Sequence, residues 1–332
     1  MKSKGIILII LFIGVAIGIA IADQYKASPI PDQLTTWKNQ ALQEIGKANT
    51  ISTEDYFAQA QGAIDNRATN APAVGTIYTC DTEALGNALD RPWIDENGVI
   101  TFSAKPVIEG EEAWNSNLII TADAENRAID GNGLPIHPTG IFPIDPSSDA
   151  GGFDANPNSI STYELNHLIP ANPQIAEEPS CLPMGTIGIA LSGGVFFNAL
   201  DAEARDAVAN EIFDGCEGHP QQNGEYHYHH DSPCFNTSEE KAHSPLIGYA
   251  IDGFGIYGPR NMDGKIVTNA DLDDCHGHSE QVIQDEGSAA ETYHYHVNQE
   301  FPYTLGCFTG EVDPTILEQR SPPPGGAPPL IQ

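Results

Sequence analysis

The chain has 332 residues, of which 46 are acidic and 14 are basic, so its formal net charge is −32. Such an acidic chain is a poor ligand for nucleic acid or for anionic lipid headgroups, whereas it favours solubility and suits the binding of cations. Hydrophobic residues make up 40% of the sequence. That share is enough for a sizeable core, in one large domain or in two smaller ones.

The N-terminal 22 residues predict export. Lys2 and Lys4 precede an unbroken apolar run that ends in Ala-Ile-Ala at residues 20–22. A basic start, an apolar centre and an A-x-A exit are typical of a secretory signal peptide, although the run is also long enough for an uncleaved membrane anchor. Either interpretation places the rest of the chain outside the cytoplasm, secreted or periplasmic, with membrane contact only through an uncleaved N-terminal segment.

Three regions follow this segment. Residues 23–75 are polar and helix-tolerant, and we predict an N-terminal helical extension there. From residue 76 to 312, short apolar runs alternate with turn residues, a pattern that predicts β-sheet with exposed loops. Within that region "DAEARDAVANEIF" predicts a short helix with Asp201 as its N-cap. Residues 313–332 form a Pro/Gly-rich tail, whose composition predicts disorder.

Six cysteines form an even set, which in an exported protein predicts three disulfides. The sequence leaves the pairing of the six open. Our expectation among the possible pairings is Cys216–Cys234, Cys275–Cys307 and Cys80–Cys181. A zinc site is the competing interpretation, because "CEGH" and "CHGH" each place a histidine three residues after a cysteine.

A repeated order of motifs occupies residues 187–307. "IGIALSGGVFFN" begins at Ile187 and "IGYAIDGFGIYG" begins at Ile247. Each is followed by a C-x-G-H element, then by Tyr-His-Tyr-His, then by a further cysteine. Four elements in the same order predict an internal duplication, with units at 187–234 and 247–307 that a pseudo-twofold axis would relate.

Each Tyr-His-Tyr-His element predicts a strand that carries two metal ligands. Alternate side chains of a strand share a face, so His227 lies beside His229 and His294 beside His296, with the tyrosines on the reverse face. Imidazoles at this spacing can converge on one metal ion. The two pairs could hold one ion at a shared interface or could serve two separate sites.

Three further residues are site candidates. His219 and His278 end the C-x-G-H elements, where a glycine-containing turn would bring them near the strand. Asp252 occupies the position that Ser192 has in the first unit. A carboxylate on one side only could be a metal ligand, a partner that orients a histidine, or a general base.

Several long motifs of this region together resemble the YHYH-domain family, exported proteins named for the Tyr-His-Tyr-His element. They are "GTIGIALSGGVFFNALDAEARDAV", "HSPLIGYAIDGFGIYGP", "DLDDCHGH" and "YHYHVNQEFPYTLGCFTG", and the resemblance covers about residues 115–310. "NGLPIHPTGIFP" resembles an upstream loop of the family, which implies that His137 is a site residue. The resemblance implies little about activity, because the family is largely uncharacterised. We assign His167 and His243 to structural roles.

The sequence as a whole predicts a mainly β, sandwich-like exported domain with short helices, a duplicated core and disulfides, which binds a transition metal. An all-imidazole ligand set favours copper or zinc. With an open coordination position, metal-activated water would make the protein a hydrolase, and a redox metal an oxidoreductase, acting on an unknown small molecule. Two alternatives stay open: a non-catalytic copper or zinc carrier or sensor, and a structural or adhesive module with calcium-binding acidic loops.

Overall fold

A computed structural model describes residues 53–63, 67–80, 90–235, 243–283, 289–314 and 317. The predicted signal segment and nearly all of the Pro/Gly-rich tail lie outside these residues. Among the helices that are described, none has the length and apolar character needed to cross a membrane.

Short strands dominate the described residues, and the helices have four residues or fewer, which confirms the predicted mainly β fold with short helices. The strands are β1 (Gln59–Gln61), β2 (Ala68–Thr69), β3 (Ile77–Tyr78), β4 (Val99–Thr101), β5 (Leu118–Ala122), β6 (Asn126–Gly131), β7 (Leu165–Pro170), β8 (Ile175–Ser180), β9 (Thr186–Ala190), β10 (Val195–Phe197), β11 (Gly218–Pro220), β12 (Tyr226–Tyr228), β13 (Leu246–Ala250), β14 (Gly255–Tyr257), β15 (Gly277–Ile283), β16 (Ala289–His296) and β17 (Phe308–Gly310). The helices are α1 (Thr53–Tyr56) and α2 (Ala207–Asn210), with 3₁₀ turns at Phe102–Ala104, Ala150–Gly152 and Asn269–Asp271.

The central feature is a mixed sheet of eight strands in the order β11-β12-β10-β9-β13-β14-β16-β15. In the first half, β9 pairs antiparallel with β10, β10 parallel with β12, and β12 antiparallel with β11. In the second half, β13, β14, β16 and β15 pair in the same order and with the same directions. The halves meet where β9 and β13 pair antiparallel. This topology fits the repeated order of motifs, while the duplication itself stays a prediction.

The middle of this sheet is covered closely on both sides. All five residues of β9 are buried, as expected for a short apolar run that lacks a polar face. Gly188 and Gly248 are necessary at this point. A Cβ at Gly188 would lie 2.9 Å from a side-chain carbon of Ile256, and one at Gly248 would lie 2.5 Å from the carbonyl oxygen of Ile189. The repeated Ile-Gly of the two motifs therefore reflects close packing where the halves join.

Smaller sheets surround the central one. β5, β6 and β7 form an antiparallel sheet of three strands, and β1-β4, β2-β3 and β8-β17 form pairs. The pair β1-β4 joins residues 59–61 to residues 99–101. The described part of the region predicted as a helical extension therefore contains one helical turn and two short strands. Both strands pair with the β region, β1 with β4 and β2 with β3.

Three disulfides connect all six cysteines as expected. They are Cys80–Cys181, Cys216–Cys234 and Cys275–Cys307. The second and third occupy equivalent places, since each links the residue that opens a C-x-G-H element to a cysteine that follows the Tyr-His-Tyr-His strand of the same half. Because these sulfur atoms are bonded to each other, the cysteines do not serve as zinc ligands in this structure, and the competing interpretation of a cysteine-containing zinc site is wrong.

The predicted helix around residues 201–213 is much shorter than expected, and Asp201 is not its N-cap. Asp206 is the N-cap of α2, and its side chain accepts from the backbone N–H of Ala209 at 3.2 Å. Asp201 instead accepts from the backbone N–H groups of Glu203 and Arg205 and pairs with the Arg205 side chain at 2.7 Å. A short aspartate side chain competes in this way with helical backbone bonds and favours a turn.

Candidate metal centres

Strand pairing places three histidines of each half on one face of the sheet. In the first half, His219 of β11 lies directly opposite His227 of β12. In the second half, His278 of β15 lies directly opposite His294 of β16. The second histidine of each His-x-His pair lies two residues further along the strand direction, on the same face. The C-x-G-H and Tyr-His-Tyr-His elements therefore act together as a cross-strand unit.

The two His-x-His pairs form two clusters and not one shared site. Four strands separate β12 from β16 in the sheet, which at the usual spacing corresponds to roughly 24 Å. Ligand atoms converge in one group of histidines in the first half, and in two groups that share His294 in the second half. We call His219, His227 and His229 cluster A. We call His243, His278, His294 and His296 cluster B.

In cluster B the Nε2 atoms of four histidines form a chain of close contacts. The Nε2 of His294 lies 3.0 Å from that of His243 and 3.0 Å from that of His296. The Nε2 of His296 in turn lies 3.1 Å from that of His278. One carboxylate is near, with Glu280 Oε2 3.7 Å from His278 Nε2. With bonds of about 2.1 Å, the three Nε2–Nε2 separations are those of neighbouring ligands about 90° apart around one metal ion.

Backbone carbonyls determine the tautomers of this cluster. Nδ1 donates to a carbonyl oxygen in three of the rings, at 2.7 Å from His243 to Ser244, 2.9 Å from His294 to Thr292 and 2.5 Å from His296 to Gly258. A carbonyl can only accept, so the proton of each neutral ring is on Nδ1 and its Nε2 carries a lone pair. The two 3.0 Å contacts of His294 therefore bring lone pairs together without a proton between them, and a bound cation would satisfy them.

Cluster A repeats this arrangement with three histidines. The ring centroids of His219 and His227 are 4.4 Å apart, and those of His227 and His229 are 4.9 Å apart. His229 Nδ1 donates to Asn198 O at 2.5 Å, the carbonyl equivalent to that of Gly258 in the second half. His227 Nδ1 lies 3.2 Å from the carbonyl oxygen of its neighbour Glu225, and His219 Nδ1 lies 3.4 Å from a side-chain amide.

A carboxylate that no motif pointed to lies beside cluster A. Glu211 Oε2 is 3.5 Å from His219 Nε2 and 3.4 Å from His229 Nε2. Burial and the nearby carboxylates of Asp201 and Asp154 raise the pKa of Glu211 well above its ordinary value.

Burial favours the neutral form of the three imidazoles of cluster A and of His243, His294 and His296 in cluster B. It lowers the pKa of His229 to about 4 and that of His294 to about 3. The pKa values of His219, His227 and His296 lie well below the ordinary value for the same first cause, and neighbouring imidazoles add to the effect. Neutral imidazole is the form that binds metal, so these ligands are available at neutral pH without loss of a proton.

The tyrosines of the motif lie on the opposite face and anchor the strands. The Tyr226 hydroxyl donates to Asp214 at 2.9 Å, and the Tyr293 hydroxyl donates to Asp273 at 3.1 Å. The glycine of C-x-G-H leaves space for these hydroxyls. A Cβ at Gly218 would lie 2.4 Å from the Tyr226 hydroxyl oxygen, and Gly277 has the same relation to Tyr293. Tyrosine on one face thus fixes the strand that presents histidine on the other.

Asp252 and His137 both lie on this tyrosine face, and the structure does not bring either of them to a cluster. Tyr295 donates to Asp252 Oδ2 at 2.5 Å, as Tyr228 contacts Ser192 Oγ at 2.8 Å in the first half. His137 Nε2 lies 2.6 Å from the Tyr228 hydroxyl. The sulfur atoms of Cys216 and Cys234 also lie near His137, but they are bonded to each other as a disulfide and are not available as metal ligands.

Sequence reasoning missed two residues, His243 and Glu211. The sequence predicts a structural role for His243, whereas the structure places its ring in cluster B. Its position precedes β13 and corresponds to Pro183 in the first half, so the repeat itself offers no sign of a ligand there. Glu211 follows α2 and has no counterpart in a motif. Their proximity to the clusters arises from tertiary contacts that no local spacing encodes.

Asp252 is expected to make the free energy of unfolding depend on pH. Burial raises the pKa of its carboxyl group from an ordinary 3.8 to about 6. The folded protein therefore binds this proton more tightly than the unfolded chain does. The stabilisation is fully present below pH 3.8, falls as the pH rises to about 6, and is absent above; the difference corresponds to roughly 3 kcal/mol.

Urea unfolding at pH 4 and pH 7, with a chelator present, measures this effect. In the variant Asp252→Asn residue 252 carries no charge at either pH, so the variant lacks this loss of stability. Between pH 4 and pH 7 the unfolding free energy of the wild type should fall relative to that of the variant by about 2.4 kcal/mol. Glu178→Gln, at an exposed position of β8, is the control and should match the wild type. An unchanged pH dependence in Asp252→Asn would contradict the prediction.

The fold and the clusters define a class: a mainly β, disulfide-bonded protein with two separate groups of converging histidines. Residues 166–266 match the model of the family described as YHYH protein. This confirms the resemblance for a segment that contains β8 to β14, with the first Tyr-His-Tyr-His element and cluster A. Comparisons with curated proteins and with solved structures give no match.

Proposed function

We propose that this protein is an exported transition-metal-binding protein in which each histidine pair belongs to its own metal site. The observation that carries the proposal is cluster B. Three of its four imidazoles have their protons on Nδ1, and their Nε2 lone pairs approach one another within 3.0 Å. A buried group of unpaired acceptors is unfavourable unless a cation lies between them.

Copper and zinc are the metals that the ligands favour. Imidazole nitrogen is a borderline ligand that suits both, and the ring N–H groups held by carbonyls would fix the rings in position for binding. The three disulfides fit an extracellular protein. Secretion or a periplasmic location, by means of the N-terminal segment, is part of the proposal.

Binding without catalysis is the function we propose for cluster B, because its four imidazoles, in contact through successive Nε2 separations of 3.0–3.1 Å, are enough ligands to complete the coordination of one ion. This corresponds to a carrier or a sensor. The second candidate, a metal-dependent hydrolase or oxidoreductase, is favoured at cluster A only, where three histidines leave a fourth coordination position. Catalysis there requires that water or a small-molecule substrate, and not a further protein side chain, occupies that position.

Metal content measured by mass spectrometry on protein exported natively from its host tests the proposal. The wild type is expected to contain about two equivalents of transition metal, one for each cluster. His227→Ala/His229→Ala and His294→Ala/His296→Ala are each expected to lose one equivalent and to keep the other, because the clusters share no ligand. His167→Ala, a histidine of β7 outside both clusters, is the control.

Two results would contradict this expectation. If either double variant lost all of its metal while it remained folded by circular dichroism, the pairs would serve one shared site. If all the proteins were metal-free and stayed so after exposure to copper and zinc, the histidines would be structural and the proposed function would be wrong.

A further inference from the structure

We infer that the two clusters are chemically different metal sites, and that Glu211 is the fourth ligand of cluster A, in the role that His243 has in cluster B. The inference rests on the proposed function. It assigns a ligand set of three nitrogens and one oxygen to the first half of the sheet, and a set of four nitrogens to the second.

Two unpaired atoms at cluster A point to a missing cation. Glu211 Oε2 and His219 Nε2 are both buried, and neither has a hydrogen-bond partner. The His219 side chain that carries the second atom is itself only 3% exposed. A buried carboxylate oxygen without a donor costs free energy, and so does a buried imidazole nitrogen. One cation between the two atoms would satisfy both.

The distances fit one ion. Two ligand atoms about 2.1 Å from a tetrahedral ion lie about 3.4 Å from each other. Glu211 Oε2 lies 3.5 Å from His219 Nε2 and 3.4 Å from His229 Nε2. A hydrogen bond would be shorter, so the carboxylate is at the separation of a neighbouring ligand and not of a hydrogen-bond acceptor.

The backbone holds Glu211 in this position. Its N–H donates to Ala207 O at 2.8 Å, which closes the last turn of α2. On either side, Arg91 Nη2 donates to the carbonyl oxygen of Asn210 at 2.9 Å, and the N–H of Ile212 donates to Asp154 Oδ2 at 2.9 Å. A side chain attached to a segment bonded on both sides loses little further freedom when it binds an ion, which favours affinity.

The difference in ligands predicts a difference in metal preference. A carboxylate is a harder ligand than imidazole and offsets one charge of a divalent ion, whereas four neutral imidazoles offset none. Copper gains more than zinc from nitrogen ligands, and an oxygen ligand reduces that advantage. In competition, cluster B is therefore expected to take copper, and cluster A to retain zinc to a greater extent.

Competition dialysis on full-length, metal-stripped protein tests the inference with copper(II) and zinc(II) as the probes. Cluster A is measured alone in the His294→Ala/His296→Ala background, and cluster B alone in the His227→Ala/His229→Ala background. The preference for copper over zinc is expected to be at least about tenfold greater at cluster B. X-ray absorption at the zinc edge of cluster A should show three imidazoles and one oxygen.

Substitutions of Glu211 test whether its carboxylate binds the metal ion of cluster A or only lies near it. Glu211→Gln keeps the shape of the side chain, and should lower the zinc affinity of cluster A by about tenfold or more. Glu211→His should move its copper preference toward that of cluster B. Glu217→Gln, which alters a carboxylate beside His230 outside both clusters, is the matched control and should leave both values unchanged.

The outcomes distinguish the inference from the function on which it rests. If both clusters bind metal but Glu211→Gln leaves zinc affinity and the absorption spectrum of cluster A unchanged, the inference is overturned and the proposed function stands. Equal metal preferences in the two backgrounds also overturn it. If neither background binds copper or zinc, the proposed function fails and the inference fails with it.

Discussion

Saturation of the metal-free protein with copper or zinc is expected to raise its free energy of unfolding by about 2.7 kcal/mol for each occupied cluster, at a free-ion concentration a hundred times the dissociation constant. The ligands of each cluster come from separate parts of the chain, so the unfolded chain does not hold them together and the ion binds the folded state preferentially. Urea unfolding with the ion or with a chelator measures the difference.

The double variants supply the controls for this prediction. His227→Ala/His229→Ala and His294→Ala/His296→Ala should each show about half of the gain, because one cluster remains in each. The alternative of a calcium-dependent structural module predicts the opposite pattern, with stabilisation by calcium and no response to copper or zinc. That pattern would count against both metal clusters.

Loss of the Cys80–Cys181 disulfide is expected to lower the free energy of unfolding by more than loss of the Cys216–Cys234 disulfide. The bond closes a loop with a sequence separation of 101 residues. In the chain-entropy account, a loop of about 100 residues stabilises by about 4.7 kcal/mol, because the bridge restricts the unfolded chain. In the folded protein the N–H of Cys80 donates to Leu182 O at 3.0 Å, so a backbone hydrogen bond joins the same two segments beside the bridge.

A comparison of two disulfide variants tests this account. Cys80→Ser/Cys181→Ser should lower the free energy of unfolding by more than Cys216→Ser/Cys234→Ser, whose sequence separation is 18 residues and whose expected effect is about 3 kcal/mol. Urea unfolding of both variants in the metal-free state gives the two values. An equal or reversed order would show that native contacts and not chain entropy determine the effect.

Regularities along the chain explain why much of the site could be predicted. The period of two in a strand places His227 and His229 on one face whatever the rest of the fold does, and the same holds for His294 and His296. The disulfides followed from an even set of cysteines in a chain with a predicted export signal. These features depend on local geometry and on composition, and a single sequence carries both.

The two residues that no motif indicated lie at the clusters because of contacts between distant segments. His243 lies 51 residues before His294 in the chain, and it reaches the cluster only because β13 and β14 bring the two segments together. Glu211 owes its place to a helix shorter than its sequence suggested. The N-cap is Asp206 and not Asp201, because the side chain of Asp201 forms a local turn with the backbone of Glu203 and Arg205. The hydrophobic periodicity of the sequence does not show this competition between turn and helix.

The order of strands in the central sheet has a consequence for the chemistry open to this protein. Reactions that use two metal ions together need them about 4 Å apart, so that both contact the same oxygen atom of a substrate. With four strands between β12 and β16, the two ions of this protein would lie several times further apart than that. Each would follow its own binding isotherm, and the rigid sheet between them would make the protein a pair of independent mononuclear centres.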